Sequence, residues 1–412
     1  MSAARSQVLP PARARQARLS LALVAALAAT LLAPASPATL AASADQVSFG
    51  TPSGTAILGQ TFELSTTFTS PVAPVRVEVL SHLPTEHSDT VETAQELDGL
   101  DGGNYRATLS DDSPIVPNST FIYRFRVTLP DGSVALGPEA TITVTDDRFQ
   151  WKTLEGDIVR LHYYQGDDAF AQRAVQIGDD AIHGAEQLLG VTETQKVDFF
   201  IYADQTAFRD ALGPGTRENV GGEAIASIRT LFGLIEPSQI NSDWVPILVT
   251  HELTHLVFNT AVDNPYHLPP RWLNEGLAVY RSQGFVASDR ALVAQAVHDG
   301  TLIPLDGLTG LFPTGDGFAL AYAEAVSAVS YIVDTYGQDA LVKLIRSYAS
   351  GVTDDEAFTA AIGRDTSTLG AEWLASVGAT APEPAGPQPA PPGPVPPGWS
   401  AVPLASRFPL LR

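Results

Sequence analysis

Hydrophobic and polar positions follow two patterns along this chain, and the change falls near residue 147. Upstream, apolar residues recur at every second position over short runs at 62–68, 75–80, 105–109, 121–129 and 141–144, the period of half-buried strands. Pro130-Asp131-Gly132 supplies a turn between the last two runs. About seven short strands with frequent turn signals predict an all-β immunoglobulin-like sandwich over residues 45–147. Downstream, 158–164 and 197–202 read as strands, 167–189 as an amphipathic helix and 224–235 as extended chain. From Asp243 onward helical periodicity dominates, so residues 148–380 are expected to form an α+β domain with strands first and helices after.

Two flanking segments fall outside both patterns. Residues 1–44 combine Arg5, Arg13, Arg15 and Arg18 with an apolar stretch at 19–33 and the small residues Ala42-Ser43-Ala44. That order predicts a cleaved export signal, a mature start near Asp45 and a secreted protein. The apolar stretch is short for a membrane span, Pro34 and Pro37 interrupt its extension, and no other stretch is a better candidate. Residues 381–412 form a Pro-rich tail, of which 382–397 is expected to be extended and semi-rigid.

Composition narrows the function classes. Hydrophobic residues make up 44% and charged residues 17%, enough apolar material for real cores. The absence of cysteine excludes disulfides, a thiol nucleophile and a cysteine-ligated metal. The formal net charge is −22, and removing residues 1–44 takes away four Arg and no acid. Such a surface repels phosphate backbones and anionic lipid headgroups, so neither nucleic acid nor a membrane is an expected partner.

The chemistry concentrates in His251-Glu252-Leu253-Thr254-His255, inside an apolar stretch with helical spacing at 243–259. Residues four apart share a helix face, so both imidazoles can reach one metal ion. Glu252 follows the first histidine and can flank the metal without binding it, where a general base for a metal-activated water must sit. A catalytic zinc site needs a third protein ligand. Glu275 supplies it in this reading, within Arg271-Trp272-Leu273-Asn274-Glu275-Gly276-Leu277-Ala278, a second helix entered through Pro269 and Pro270. His82, His87, His162, His183 and His298 have no metal spacing, and Asn118-Ser119-Thr120 fits a glycosylation sequon.

These motifs carry a family resemblance. The chain resembles a gluzincin of the thermolysin-like metallopeptidase clan, over about residues 150–378, and is similar to the peptidase MA-like proteins. HELTH matches HExxH, and WLNEGLA resembles the segment that carries the glutamate ligand in the aminopeptidase branch. The resemblance implies a Zn2+ cofactor on His251, His255 and Glu275, Glu252 as general base, and a zincin-like domain fold. It also implies an oxyanion donor. Tyr322, read as leading a helix that runs to Tyr336-Gly337, matches a tyrosine of the aminopeptidase branch, with Tyr266 and His267 as rivals. The amine-anchoring Gly-x-Met-Glu-Asn motif of that branch has no counterpart, since Gly221-Gly222-Glu223-Ala224 lacks the pattern. The expectation is therefore a secreted zinc endopeptidase acting on peptides or proteins, with the strand at 226–234 as a possible edge for an extended substrate. Two other classes fit parts of the pattern: an inactive peptidase-like binding module, and a zinc hydrolase of a non-peptide amide. An intact Glu252 speaks against the first of these.

Overall fold

The computed structural model describes residues 44–380, apart from 59–61, 112–114, 214–220, 265–266 and 316. The expected export signal, save its last residue, and the Pro-rich tail lie outside the described residues.

An N-terminal β-rich region comes first. Its strands are β1 (Ser48–Phe49), β2 (Ser53–Ala56), β3 (Phe62–Thr69), β4 (Arg76–His82) and β5 (Thr90–Thr93). They continue with β6 (Glu96–Leu100), β7 (Asn104–Asp111), β8 (Thr120–Thr128), β9 (Val134–Leu136) and β10 (Ala140–Thr143). One antiparallel sheet holds β1, β2, β3, β7 and β6, and a second holds β10, β8, β9, β4 and β5. The period-two pattern works as expected: β3 buries Phe62, Leu64, Thr66 and Phe68, and β8 buries Tyr123, Phe125 and Val127. The sheets touch where Phe62 meets Phe121, with ring centroids 5.1 Å apart. The region has ten described strands rather than about seven. The additional ones, such as β2, β5 and β6, are short, polar and largely exposed, so pairing with a neighbour rather than burial makes them strands.

A helix-rich domain follows, built on a mixed five-stranded sheet. Its first elements are β11 (Lys152–Glu155), β12 (Val159–Tyr163), α1 (Asp168–Leu189), β13 (Val197–Tyr202), α2 (Gln205–Leu212), β14 (Gly222–Ile225) and β15 (Thr230–Leu234). The helices α3 (Trp244–Val262), α4 (Arg271–Ser282), α5 (Ala287–Asp299) and α6 (Gly317–Tyr336) come next. The last are α7 (Gln338–Ser347), α8 (Asp354–Ile362) and α9 (Thr366–Ser376). The sheet order is β11-β12-β13-β15-β14, with β12, β13 and β15 parallel and both edge strands antiparallel. α1 is the crossover between β12 and β13. Its start is fixed by the Asp167 carboxylate accepting the Phe170 N–H, and its end by Gly190 at φ 64°. All six residues of β13 are buried, because helices cover one face of the sheet while Phe200, Tyr202 and Phe232 on the other meet Val116, Phe149 and Trp151.

The segment 224–235 is not one extended run. It is a hairpin of β14 and β15 joined by a 3-10 turn at Ala226–Ile228, with Arg229 turning the chain in the left-handed region at φ 51°. No glycine or proline marks this turn, so the sequence pattern does not show it. The consequence is topological: β15 is paired on both sides, and the free edge belongs to β14. The expected substrate-pairing strand at 226–234 is therefore interior.

α3 is apolar all round, burying Val245, Val249, Leu253, Leu256, Val257, Phe258, Ala261 and Val262, as suits a helix at the centre of a core. It starts directly after Asp243, whose side chain makes no capping bond, and runs past Asn259 to Val262. α4 starts directly after Pro270 and packs closely on α6. A Cβ on Gly276 would lie 2.4 Å from the Ala325 carbonyl oxygen, so only glycine allows this approach. Gly276→Ala is expected to lower stability by about 1–3 kcal/mol in a urea melt through overpacking. An unchanged midpoint would contradict the close contact. Among the described residues, no helix is long and apolar enough to cross a membrane.

Candidate metal centre

α3 presents His251 and His255 from one face, with rings nearly perpendicular at 86° and centroids 4.8 Å apart. Their Nε2 atoms are 3.2 Å apart. α4 brings Glu275 to the same point, with Oε2 3.3 Å from His255 Nε2 and 3.5 Å from His251 Nε2. Among the described residues this is the one group of three potential ligands whose donor atoms lie within 4.8 Å of one another.

Neighbouring side chains orient these donors. Asn274 Oδ1 accepts the Nδ1–H of His255 at 2.8 Å, which leaves the Nε2 lone pair facing the cluster. Arg271, one helical turn before Glu275, donates from Nη2 to Oε1 at 2.8 Å, while its guanidinium carbon lies 5.6 Å from the centre of the Phe312 ring. Glu275 Oε2 is left buried with no hydrogen bond. Two imidazole nitrogens and one orphaned carboxylate oxygen thus converge on one point. A divalent cation satisfies all three, and this donor set suits zinc chemistry. The electrostatics agree. Burial disfavours charge on His255, yet Glu275 against its ring outweighs that and pushes the imidazole up to about 9. Burial likewise opposes ionisation of Glu275, but the two imidazoles against it hold it well below the usual carboxylate range. The cluster is arranged to hold positive charge. Asn274→Ala is expected to weaken divalent-metal affinity about 10–100-fold, measured by competition with a chelating dye. Undiminished affinity would mean that the Asn274 contact does not orient His255.

Glu252, next to His251 on α3, lines the same cleft. Its Oε2 accepts the backbone N–H of Ala224 on β14 at 3.0 Å. A Cβ on Gly222 would sit 3.0 Å from Glu252 Cγ, so the glycine leaves room for the carboxylate. The cleft measures about 830 Å³, and its walls include Gly222, Glu223, Phe258, Leu311 and Tyr322 besides the cluster itself.

Tyr322 is in the cleft wall, its ring centroid 6.2 Å from that of His251. Burial first, and the charge of Glu275 second, push its phenol up to about 12, so it is a neutral donor at ordinary pH. It does not lead its helix: α6 begins at Gly317, and Tyr322 lies in the second turn, packed between Phe312 and Phe318. His267 is turned elsewhere, with Nε2 2.9 Å from Asp354 Oδ1 and its ring stacked on Tyr348. Tyr266 lies outside the described residues. Sequence reading missed Arg271 and the Ala224 N–H. The first was readable as an i,i+4 Arg–Glu pair. The second is a backbone group brought in by the β14–β15 hairpin and leaves no side-chain signal.

The family profile of the peptidase MA superfamily matches residues 177–379, a span that contains every one of these residues. No curated protein matches the chain. Among solved structures, an M1 zinc metallopeptidase from Deinococcus radiodurans is 14% identical, with 81% of this chain and 93% of that one covered at a TM-score of 0.38. An aminopeptidase N family protein from Idiomarina loihiensis is 10% identical, with 78% and 72% covered at a TM-score of 0.36. Neither likeness carries a residue assignment. The family profile and the His-His-Glu cluster together place residues 177–379 of this chain in the peptidase MA superfamily, the gluzincin clan of zinc metallopeptidases.

Proposed function

We propose that this protein is an active, secreted zinc endopeptidase, with zinc on His251, His255 and Glu275, Glu252 as general base and Tyr322 as oxyanion donor. The observation that carries this reading is the convergence of the three donors in a cleft that Glu252 also lines. Zinc bound there supplies a Lewis acid that acidifies water and polarises a carbonyl. The chain's own groups do the rest. Glu252 takes a proton from the attacking water and delivers it to the leaving amine, and the Ala224 N–H fixes one carboxylate oxygen so that the other faces the cleft. The neutral Tyr322 phenol donates to the oxygen on which charge develops. The free edge of β14 offers backbone partners to an extended peptide.

Endopeptidase action is preferred because the chain lacks the Gly-x-Met-Glu-Asn motif of the aminopeptidase branch. A quenched fluorescent peptide library with both termini blocked tests this. Cleavage that chelators abolish is expected. Cleavage only of peptides with a free amino terminus would reverse the preference, and hydrolysis of simple amides without peptides would favour the non-peptide alternative. The reading assigns residues 45–147 to an immunoglobulin-like sandwich and residues 148–380 to the zincin-like domain, with export through residues 1–44.

A further inference from the structure

The β-rich region reaches the helix-rich domain at several places on β13, and it also bonds to the turn that joins β14 to β15. The Thr85 hydroxyl donates to the Ser227 carbonyl at 2.5 Å. Asn118 Nδ2 donates to the Thr230 hydroxyl at 2.8 Å, and that hydroxyl donates on to the Ile228 carbonyl at 2.9 Å. A hydrogen-bond chain therefore runs from the β-rich region into the backbone of the turn. The second N–H of the Asn118 amide goes to Asp198 Oδ2 at 3.0 Å, and Asp198 is itself held by Arg160 at 2.6 Å and His162 at 2.7 Å. Asn118 sits in the left-handed region at φ 66°, where asparagine is better tolerated than most residues. Both amide protons are thus engaged, so the sequon at Asn118 has no free acceptor nitrogen in the folded molecule. From the opposite side, Arg229 clamps the same turn to the segment before β13, donating to the Gln195 carbonyl at 2.7 Å and pairing with Glu193 at 2.9 Å.

The hairpin held by these contacts is the one whose β14 strand delivers the Ala224 N–H to Glu252. β14 is an edge strand of four residues with β15 as its one paired neighbour, and its other support comes from α3, against which Gly222 packs on Leu248 and Glu252. We infer that Thr85 and Asn118 are positioning residues for the proposed reaction: the β-rich region braces the β14–β15 turn and so fixes the backbone donor that aims Glu252. This role rests on Glu252 being the base.

Hydrogen exchange read by mass spectrometry on the zinc-supplied full-length protein tests the brace. In Thr85→Val/Asn118→Gly, where glycine keeps the left-handed backbone, amide exchange across residues 221–230 is expected to accelerate on the order of 10-fold or more. Exchange in α3 and α4 and the zinc content should stay as in the unaltered protein. Thr230→Val breaks the same chain at a different residue and should reproduce the effect, while Thr230→Ser, which keeps the hydroxyl, should not. It also serves if the double variant fails to fold. Hydrolysis of a casein substrate should fall in kcat in step with the exchange. Unaltered exchange at 221–230 in both Thr85→Val/Asn118→Gly and Thr230→Val would overturn the inference, as would equal acceleration throughout the domain. Exchange requires no turnover, so a protein that proves inactive refutes the peptidase reading without deciding the brace.

Discussion

Glu252→Gln is expected to lower peptide hydrolysis about 1,000-fold while leaving one zinc per chain in place. General-base contributions are typically roughly 10²–10⁴-fold, and glutamine keeps the size and the ability to accept the Ala224 N–H while losing the basic oxygen. The candidate metal donors are His251, His255 and Glu275, so the substitution removes none of them. The discriminating measurement pairs turnover with metal content on the same sample. Unchanged hydrolysis would remove Glu252 from the chemistry. Loss of zinc together with activity would make Glu252 part of the metal-holding set instead.

A second large effect lies away from the cleft. Glu324, on α6, is fully buried, and among the described residues its two oxygens share only the Ile303 N–H, at 3.1 and 3.2 Å. Burial pushes its carboxyl up to about 8, a shift that the Ile303 N–H only partly opposes. The folded protein therefore binds this proton more tightly than the unfolded chain does. The stability that comes with the neutral acid is complete below the unfolded value near 4.5 and is lost as pH rises through about 8. The loss amounts to about 4–5 kcal/mol at most. Glu324→Gln keeps the shape and cannot ionise. Urea melts should show the variant several kcal/mol more stable than the unaltered protein at pH 8.5 and about equal to it at pH 5. An equal difference at both pH values would mean that Glu324 does not ionise across this range.

The convergence of His251, His255 and Glu275 was legible because helix geometry forces it: two imidazoles four residues apart on an apolar helix have to share a face, and WLNEG places a carboxylate on the next one. Long strands with alternating burial, such as β3 and β8, were equally readable. Two kinds of feature were not. Short polar strands such as β6 have no burial pattern of their own. The β14–β15 turn bends at Arg229 without a glycine, which put the free sheet edge on the wrong strand. The start of α6 was legible in Pro313-Thr314-Gly315, but the family resemblance put Tyr322 at the head of a helix that in fact starts at Gly317. The contacts that finish the site are of the same sort as the hairpin turn. Arg271 on Glu275 and Asn274 on His255 depend on two helices meeting, and the Ala224 N–H depends on a hairpin.

The most direct test of the centre is metal analysis of the purified protein after zinc is supplied, combined with X-ray absorption at the zinc edge. One zinc per chain, coordinated by two imidazole nitrogens and a carboxylate oxygen and lost in Glu275→Ala, is the expected result. A protein that retains no zinc, or that binds it undiminished in Glu275→Ala, would contradict the assignment of His251, His255 and Glu275 as the metal site.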